Sequence, residues 1–202
     1  MSDIAAAERA VLQEEHRAAD SKTLFGFWAY IMTDCLLFAS LFATYAVLHG
    51  NTVGGPSGRD IFSLPYILVE TLALLTSSFT CGLAMLAANR HAKRQALGWL
   101  AVTFVFGLIF LLMELTEFGR LAHDGNSWQR SGFLSSYFTL VGTHGLHITV
   151  GLLWMAALVA KVWSSGFSRA NLRRLTMFSL FWHFLDIVWI FIFTVVYMLG
   201  AV

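Results

Sequence analysis

Trp182-His183-Phe184-Leu185-Asp186-Ile187-Val188-Trp189-Ile190-Phe191-Ile192-Phe193 is nearly all apolar, yet it carries an imidazole and a carboxylate three residues apart. On a helix that spacing is one face. Ionisable groups inside a membrane helix are costly, so they turn towards a protein interior and mark a function. The rest of the chain supports the membrane reading. Of its 202 residues 57% are hydrophobic and only 12% charged, with a mean hydropathy of +0.68. No soluble domain of this size needs that much apolar surface, so the class is polytopic membrane protein.

Working outward, five apolar stretches are long enough to cross a bilayer, which takes roughly 20 residues each. They run at approximately 24–48, 64–88, 97–119, 133–162 and 175–199. The expected fold is therefore all-α, a five-transmembrane-helix bundle over residues 23–202, preceded by a cytoplasmic tail over 1–22. The breaks are polar and turn-like, as in Gly54-Gly55-Pro56-Ser57-Gly58 and His123-Asp124-Gly125-Asn126, and none is long enough to fold separately. The first 22 residues are rich in charge and lack an apolar core followed by a small-residue cleavage site, so no cleaved signal peptide is expected.

Ten of the 13 lysines and arginines fall in the tail, the second loop and the fourth loop, and only Arg59, Arg120 and Arg130 lie in the other two loops. That asymmetry predicts a cytoplasmic N-terminus and an outward C-terminus. The net charge of +1 points to no nucleic-acid partner. Cys35 and Cys81 both sit in apolar runs without a CxxC, and read as small buried hydrophobes.

Depth follows from the topology at about 1.5 Å per residue. Asp34, His144, His147, His183 and Asp186 form an inner-to-middle group, and Glu70, Glu114 and Glu117 an outer one. Three readings of these groups stay open. His144/His147 and Glu114/Glu117 have the i, i+3 spacing of di-iron helices, but the acids of helix three are expected a helical turn or more from the histidines. The set would otherwise be a proton or ion relay, or a group of satisfied partners that fasten helices and line a wet or lipid-filled cleft. No stretch offers the dense histidine set of a haem–copper centre. Gly142, Gly145 and Gly151 suggest close packing of helix four at the histidines. Asp34 is expected beside His147, and His183 and Asp186 are expected to bond neighbouring helices.

Thr143-His144-Gly145-Leu146-His147 and Trp182-His183-Phe184-Leu185-Asp186-Ile187-Val188-Trp189 resemble the two hallmark segments of subunit III of haem–copper terminal oxidases. The resemblance covers nearly all of the chain from Phe25 onward. Phe25-Gly26-Phe27-Trp28-Ala29-Tyr30-Ile31-Met32-Thr33-Asp34, Leu41-Phe42-Ala43-Thr44-Tyr45, Asp60-Ile61-Phe62 and Met113-Glu114-Leu115-Thr116-Glu117-Phe118 resemble the bacterial cytochrome o ubiquinol oxidase branch. Versions from cytochrome c oxidases usually have seven helices, so five suits the quinol branch. Asp34 falls where those versions carry a buried Glu, and Glu114 where they often carry Gln.

The resemblance implies an accessory subunit without catalytic, cofactor-binding or metal-binding residues of its own. It implies a partner subunit I with haem and copper, and subunits II and IV. Haem b, haem o, copper and ubiquinone are expected in those other subunits, with phospholipid in a cleft of this one. It implies ubiquinol oxidation coupled to reduction of dioxygen to water and to proton pumping, in the bacterial cytoplasmic (inner) membrane. The alternatives are a self-contained membrane metalloenzyme using His144, His147, Glu114 and Glu117, a small proton-coupled transporter, and a cytochrome c oxidase subunit III.

Overall fold

A computed structural model describes residues 2–54 and 58–200, with side chains from residue 21 onward except at 59 and 60. Gly55, Pro56 and Ser57 of the expected first turn lie outside the described residues. The described residues hold helices and no strand: α1 (Ser2–Leu48), a single turn α2 (Gly58–Ile61), α3 (Leu64–Asn89), α4 (Lys93–His123), α5 (Gly132–Ser165) and α6 (Arg169–Ile192). The chain of α6 continues as a π-helix over Phe193–Met198. Five helical segments are long and apolar enough to cross a membrane: Ser21–Leu48, Leu64–Asn89, Lys93–His123, Gly132–Ser165 and Arg169–Met198. The all-α, five-span fold expected from the sequence is the fold observed.

The helix ends have local causes. Pro65 stands in the first turn of α3, where no backbone N–H is needed. Ser131 Oγ accepts the Leu134 N–H at 3.2 Å and Ser168 Oγ accepts the Asn171 N–H at 3.2 Å, capping α5 and α6. Gly166 closes α5 with φ 68°, a left-handed turn that suits glycine, and its N–H returns to the Val162 carbonyl. Lys93 Nζ donates to the Trp163 carbonyl at 2.8 Å, tying the start of α4 to the end of α5.

The chain divides into two compact units, Met1–Leu37 and Phe38–Val202. The first is the leading part of α1. Within it the hydroxyl of Tyr30 reaches the carboxyl of Asp34, one turn on. In the second unit α3 packs on α4, α4 on α5, α5 on α6, and α6 back on α3. Each of these pairs is antiparallel. Tyr66 meets Met113 and Thr116 while Thr80 meets Thr103, and Ser77 meets Trp182 while Thr71 meets Trp189, so one partner ascends as the other descends. The last turns of α1 lie along α5 and α6, with Phe38 against His147 and Phe184, and Phe42 against Phe191.

Candidate functional site

Where lipid is the solvent, burying a leucine against another leucine releases no water, so helices hold together by close van der Waals fit and interhelical hydrogen bonds. The core follows that rule. Trp182 of α6 lies between two glycines. A Cβ on Gly107 of α4 would stand 2.8 Å from its Cζ2, and one on Gly151 of α5 2.8 Å from its Cζ3. Its indole Nε1–H donates to Ser77 Oγ of α3 at 2.8 Å. One side chain thus touches three helices. Two turns on, Trp189 repeats the arrangement: its Nε1–H donates to Thr71 Oγ1 at 3.0 Å, and its ring meets Phe110 edge-on at 4.6 Å.

The other face of Trp189 stacks on His144, with ring centroids 5.3 Å apart. Phe38 and Phe110 close the remaining sides at 6.3 and 5.9 Å. His144 is fully buried and neither ring nitrogen has a hydrogen-bond partner among the described residues. His147 turns its Nδ1–H to the Thr143 carbonyl one turn back, at 2.7 Å. The i, i+3 pair therefore does not converge: one ring lies in an aromatic cage and the other bonds its own helix.

Glu114 lies in the same layer as His144. Its Oε1 stands 2.7 Å from where a Cβ on Gly145 would be, and only the absence of a side chain there gives the carboxyl its place. For Glu114 this corrects the expected separation of the helix-three acids from the histidines. Counting rise from helix ends misses the stagger between neighbouring helices, which only side-chain fit decides. Glu70 of α3 is also fully buried, and the pairing of Tyr66 with Met113 and Thr116 sets it opposite this stretch of α4. None of the four carboxyl oxygens of Glu70 and Glu114 has a hydrogen-bond partner among the described residues. Glu117 lines a cavity of about 280 Å³ at the α3–α4 end, with Tyr66, Thr116, Arg120, Asp124 and Asn126. The hydroxyls of Tyr137 and Tyr197 meet at 3.0 Å nearby, Tyr197 being carried by the π-helical turn.

His183 and Asp186 lie on the far side of α6. Ser78 Oγ and His183 Nδ1 are 2.8 Å apart, so this pair fastens α6 to α3. Asp34 sits on α1 one turn before Phe38, in the first compact unit. Among the described residues no group of three or more His, Cys, Asp or Glu side chains is placed to hold one metal ion. Cys35 and Cys81 are both free thiols, Cys81 buried and Cys35 exposed; Cys35 departs from the expected burial. It projects from a span whose outer face is apolar, so a membrane residue need not be covered by its own chain.

Sequence reading singled out the histidine and the acid of the Trp182–Trp189 segment and passed over its two tryptophans, which span the interfaces. Hydroxyls on a largely apolar α3, Thr71, Ser77 and Ser78 among them, were the available signal. Gly107 gave none. Of the three glycines expected at a close contact, Gly145 and Gly151 make one, while Gly142 stands at an ordinary 3.6 Å from Phe118. Ser77→Ala leaves the Trp182 N–H without its acceptor. The expected loss is about 1–2 kcal/mol of bundle stability, read as a lower unfolding midpoint of the detergent-solubilised protein.

Antiparallel spans around an aromatic and carboxyl core, each long and apolar enough to cross a membrane, describe a polytopic membrane helical bundle. The chain belongs to the cytochrome c oxidase subunit III family, whose model matches residues 2–201. It is 62% identical over 179 residues (89% of this chain, 86% of the relative) to the cytochrome bo(3) ubiquinol oxidase subunit 3 of Pseudomonas aeruginosa. It is 58% identical over 179 residues, with the same coverage, to the protein of that name from Pseudomonas putida. A cytochrome c oxidase subunit 3 from Bacillus sp. (strain PS3) is 40% identical over 190 residues, 94% of this chain and 92% of the relative. The two ubiquinol oxidase relatives are thus more similar than the cytochrome c oxidase relative.

Proposed function

We propose that this chain is the non-catalytic subunit III of a proton-pumping ubiquinol oxidase that couples ubiquinol oxidation to the reduction of dioxygen to water. The observation that carries this is the 58–62% identity to two bo(3) ubiquinol oxidase subunits over 89% of the chain. The metalloenzyme reading has no comparable support. His144 is enclosed by aromatic rings, His147 is turned to its own helix, and no joint site with Glu114 and Glu117 forms among the described residues.

In this reading Asp34, Glu70, Glu114, Glu117, His144, His147, His183 and Asp186 are polar fasteners and local electrostatics of the bundle, and not ligands. Subunit I, carrying haem and copper, is stabilised by packing against this chain, alongside subunits II and IV. Haem b, haem o, copper and ubiquinone belong to those subunits. The chain holds phospholipid and supports proton uptake from the cytoplasmic side. It lies in the bacterial inner membrane with its N-terminus inside and its C-terminus outside, as the lysine and arginine distribution favours.

The test is to tag the chain, purify it in mild detergent from the producing bacterium and record a visible spectrum. The expected result is co-purified b- and o-type haem with quinol-dependent oxygen consumption. A colourless single chain, with or without bound metal, overturns the proposal. Orientation is tested separately by reporter fusions, a periplasm-dependent reporter being active at the C-terminus and silent at the N-terminus.

A further inference from the structure

A polar fastener needs a partner, and Glu70 and Glu114 have none. They are 0% and 2% exposed, and all four of their carboxyl oxygens lack a hydrogen-bond partner among the described residues. Tyr66 meets Thr116 and Thr80 meets Thr103 across the α3–α4 interface, a register that sets Glu70 level with Glu114. The backbone of α5 makes room for this pair, since a Cβ on Gly145 would collide with the Glu114 carboxyl. Glu117, about one turn nearer the helix end, adds an unpartnered Oε2. The three carboxyls lie within electrostatic reach of one another.

The other elements packed here bring no buried cation. From α5 come Tyr137 and His144, and from the π-helical turn Tyr197, all fully buried. Tyr137 and Tyr197 bond each other, which uses one phenol proton and leaves the other to give. Neither ring nitrogen of His144 has a partner among the described residues. From α3, Tyr66 is spent on the Met113 carbonyl and Thr116. Arg120 of α4 is exposed at the rim of the cavity that Glu117 lines.

Two ionised carboxyls in such surroundings would cost far more than two neutral ones. A neutral carboxyl still has an O–H to give and oxygens that accept. Glu70 and Glu114 do not bond each other, so the fitting occupant is small, gives and accepts hydrogen bonds, and carries protons, which is water. The cavity of about 280 Å³ supplies it. At about 30 Å³ per water it has room for several, and Arg120 and Asp124 at its rim are exposed.

We propose that Glu70 and Glu114 form a water-bridged proton-holding site, which exchanges protons through Glu117 and the cavity with the aqueous phase at that end of the bundle. Each exchange breaks a carboxyl O–H, passes the proton to water and takes another back, so the site stays neutral. The site is built within this chain and goes beyond the accessory-subunit reading.

The test is infrared spectroscopy of the whole complex in native membranes. At neutral pH, Glu70→Gln and Glu114→Gln are each expected to remove a carbonyl band of a protonated carboxyl. In the unsubstituted complex those bands are expected to shift on transfer to D2O. Glu117→Gln cannot relay a proton. It is expected to keep the bands and slow the shift about a hundredfold, the lower end for a positioned proton carrier. Where a glutamine variant fails to assemble, Glu114→Asp keeps the carboxyl and is expected to move the band without abolishing it. Loss of carboxylate bands alone in the glutamine variants shows ionised groups and overturns the proposal. Bands that never shift in D2O, or that shift equally fast in Glu117→Gln, overturn it as well, because a merely structural pair of carboxyls would behave so.

Discussion

Trp182→Ala is expected to destabilise the bundle by about 3 kcal/mol, at the lower end of the range for removing a buried tryptophan. The lower end applies because part of that range is transfer from water, and here the alternative surrounding is lipid. What remains is the cavity and the lost contact. Glycines at 107 and 151 hold the backbones of α4 and α5 against the indole, and alanine in its place leaves a void that two glycines cannot fill. Ser77 Oγ also loses its donor. Thermal unfolding in detergent, followed by loss of monodisperse protein, measures the effect. An unfolding midpoint unchanged from wild type would show that the indole does not hold these helices.

The second large effect comes from the other side of the same contact. Gly107→Ala with Gly151→Ala is expected to cost about 2–5 kcal/mol, since overpacking costs about 1–3 kcal/mol per site and both methyls press on one rigid ring. The two sites share a partner, so their effects are not expected to add simply. Replacing Trp182 by leucine in the double-alanine chain is expected to recover part of the loss, because the smaller side chain relieves both clashes at once. Gly145→Ala is the internal comparison. Its new methyl also stands 2.7 Å from a neighbour, but that neighbour is the end of the Glu114 side chain, which swings more easily than an indole. It is expected to cost less than Gly151→Ala. The reverse order would mean that the carboxyl of Glu114 is held more firmly than the ring.

These predictions fall on Trp182 and Gly107, which the sequence passed over, and on Gly145 and Gly151, which it marked for close packing without giving their partners; the reason is physical. Periodicity and composition report which segments prefer lipid, because each residue contributes its own transfer cost. They report little about fit, because fit belongs to pairs of helices. Glu114 shows the difference. Its place along α4 was legible, and so was the presence of a glycine beside His144. That the one fills the space left by the other depends on how far α4 is staggered against α5. His144 shows it again. Its spacing to His147 matched a ligand pair, but the aromatic cage of Phe38, Phe110 and Trp189 draws on three other helices.

The sequence by itself determined the class: five spans, few charges, polar groups at set positions along each helix, and two motif segments that carry the family. It could do so because lipid solubility and helix rise are local properties of the chain. Only the tertiary structure decided that the tryptophans of the Trp182–Trp189 segment, wedged against glycines and bonded to hydroxyls of α3, hold the core. It also set His183 and Asp186 on the opposite side of α6. The division follows from the solvent. In a membrane every span is already comfortable alone, so what selects one bundle over another is close fit and a few hydrogen bonds between helices, and those exist only once the helices have met.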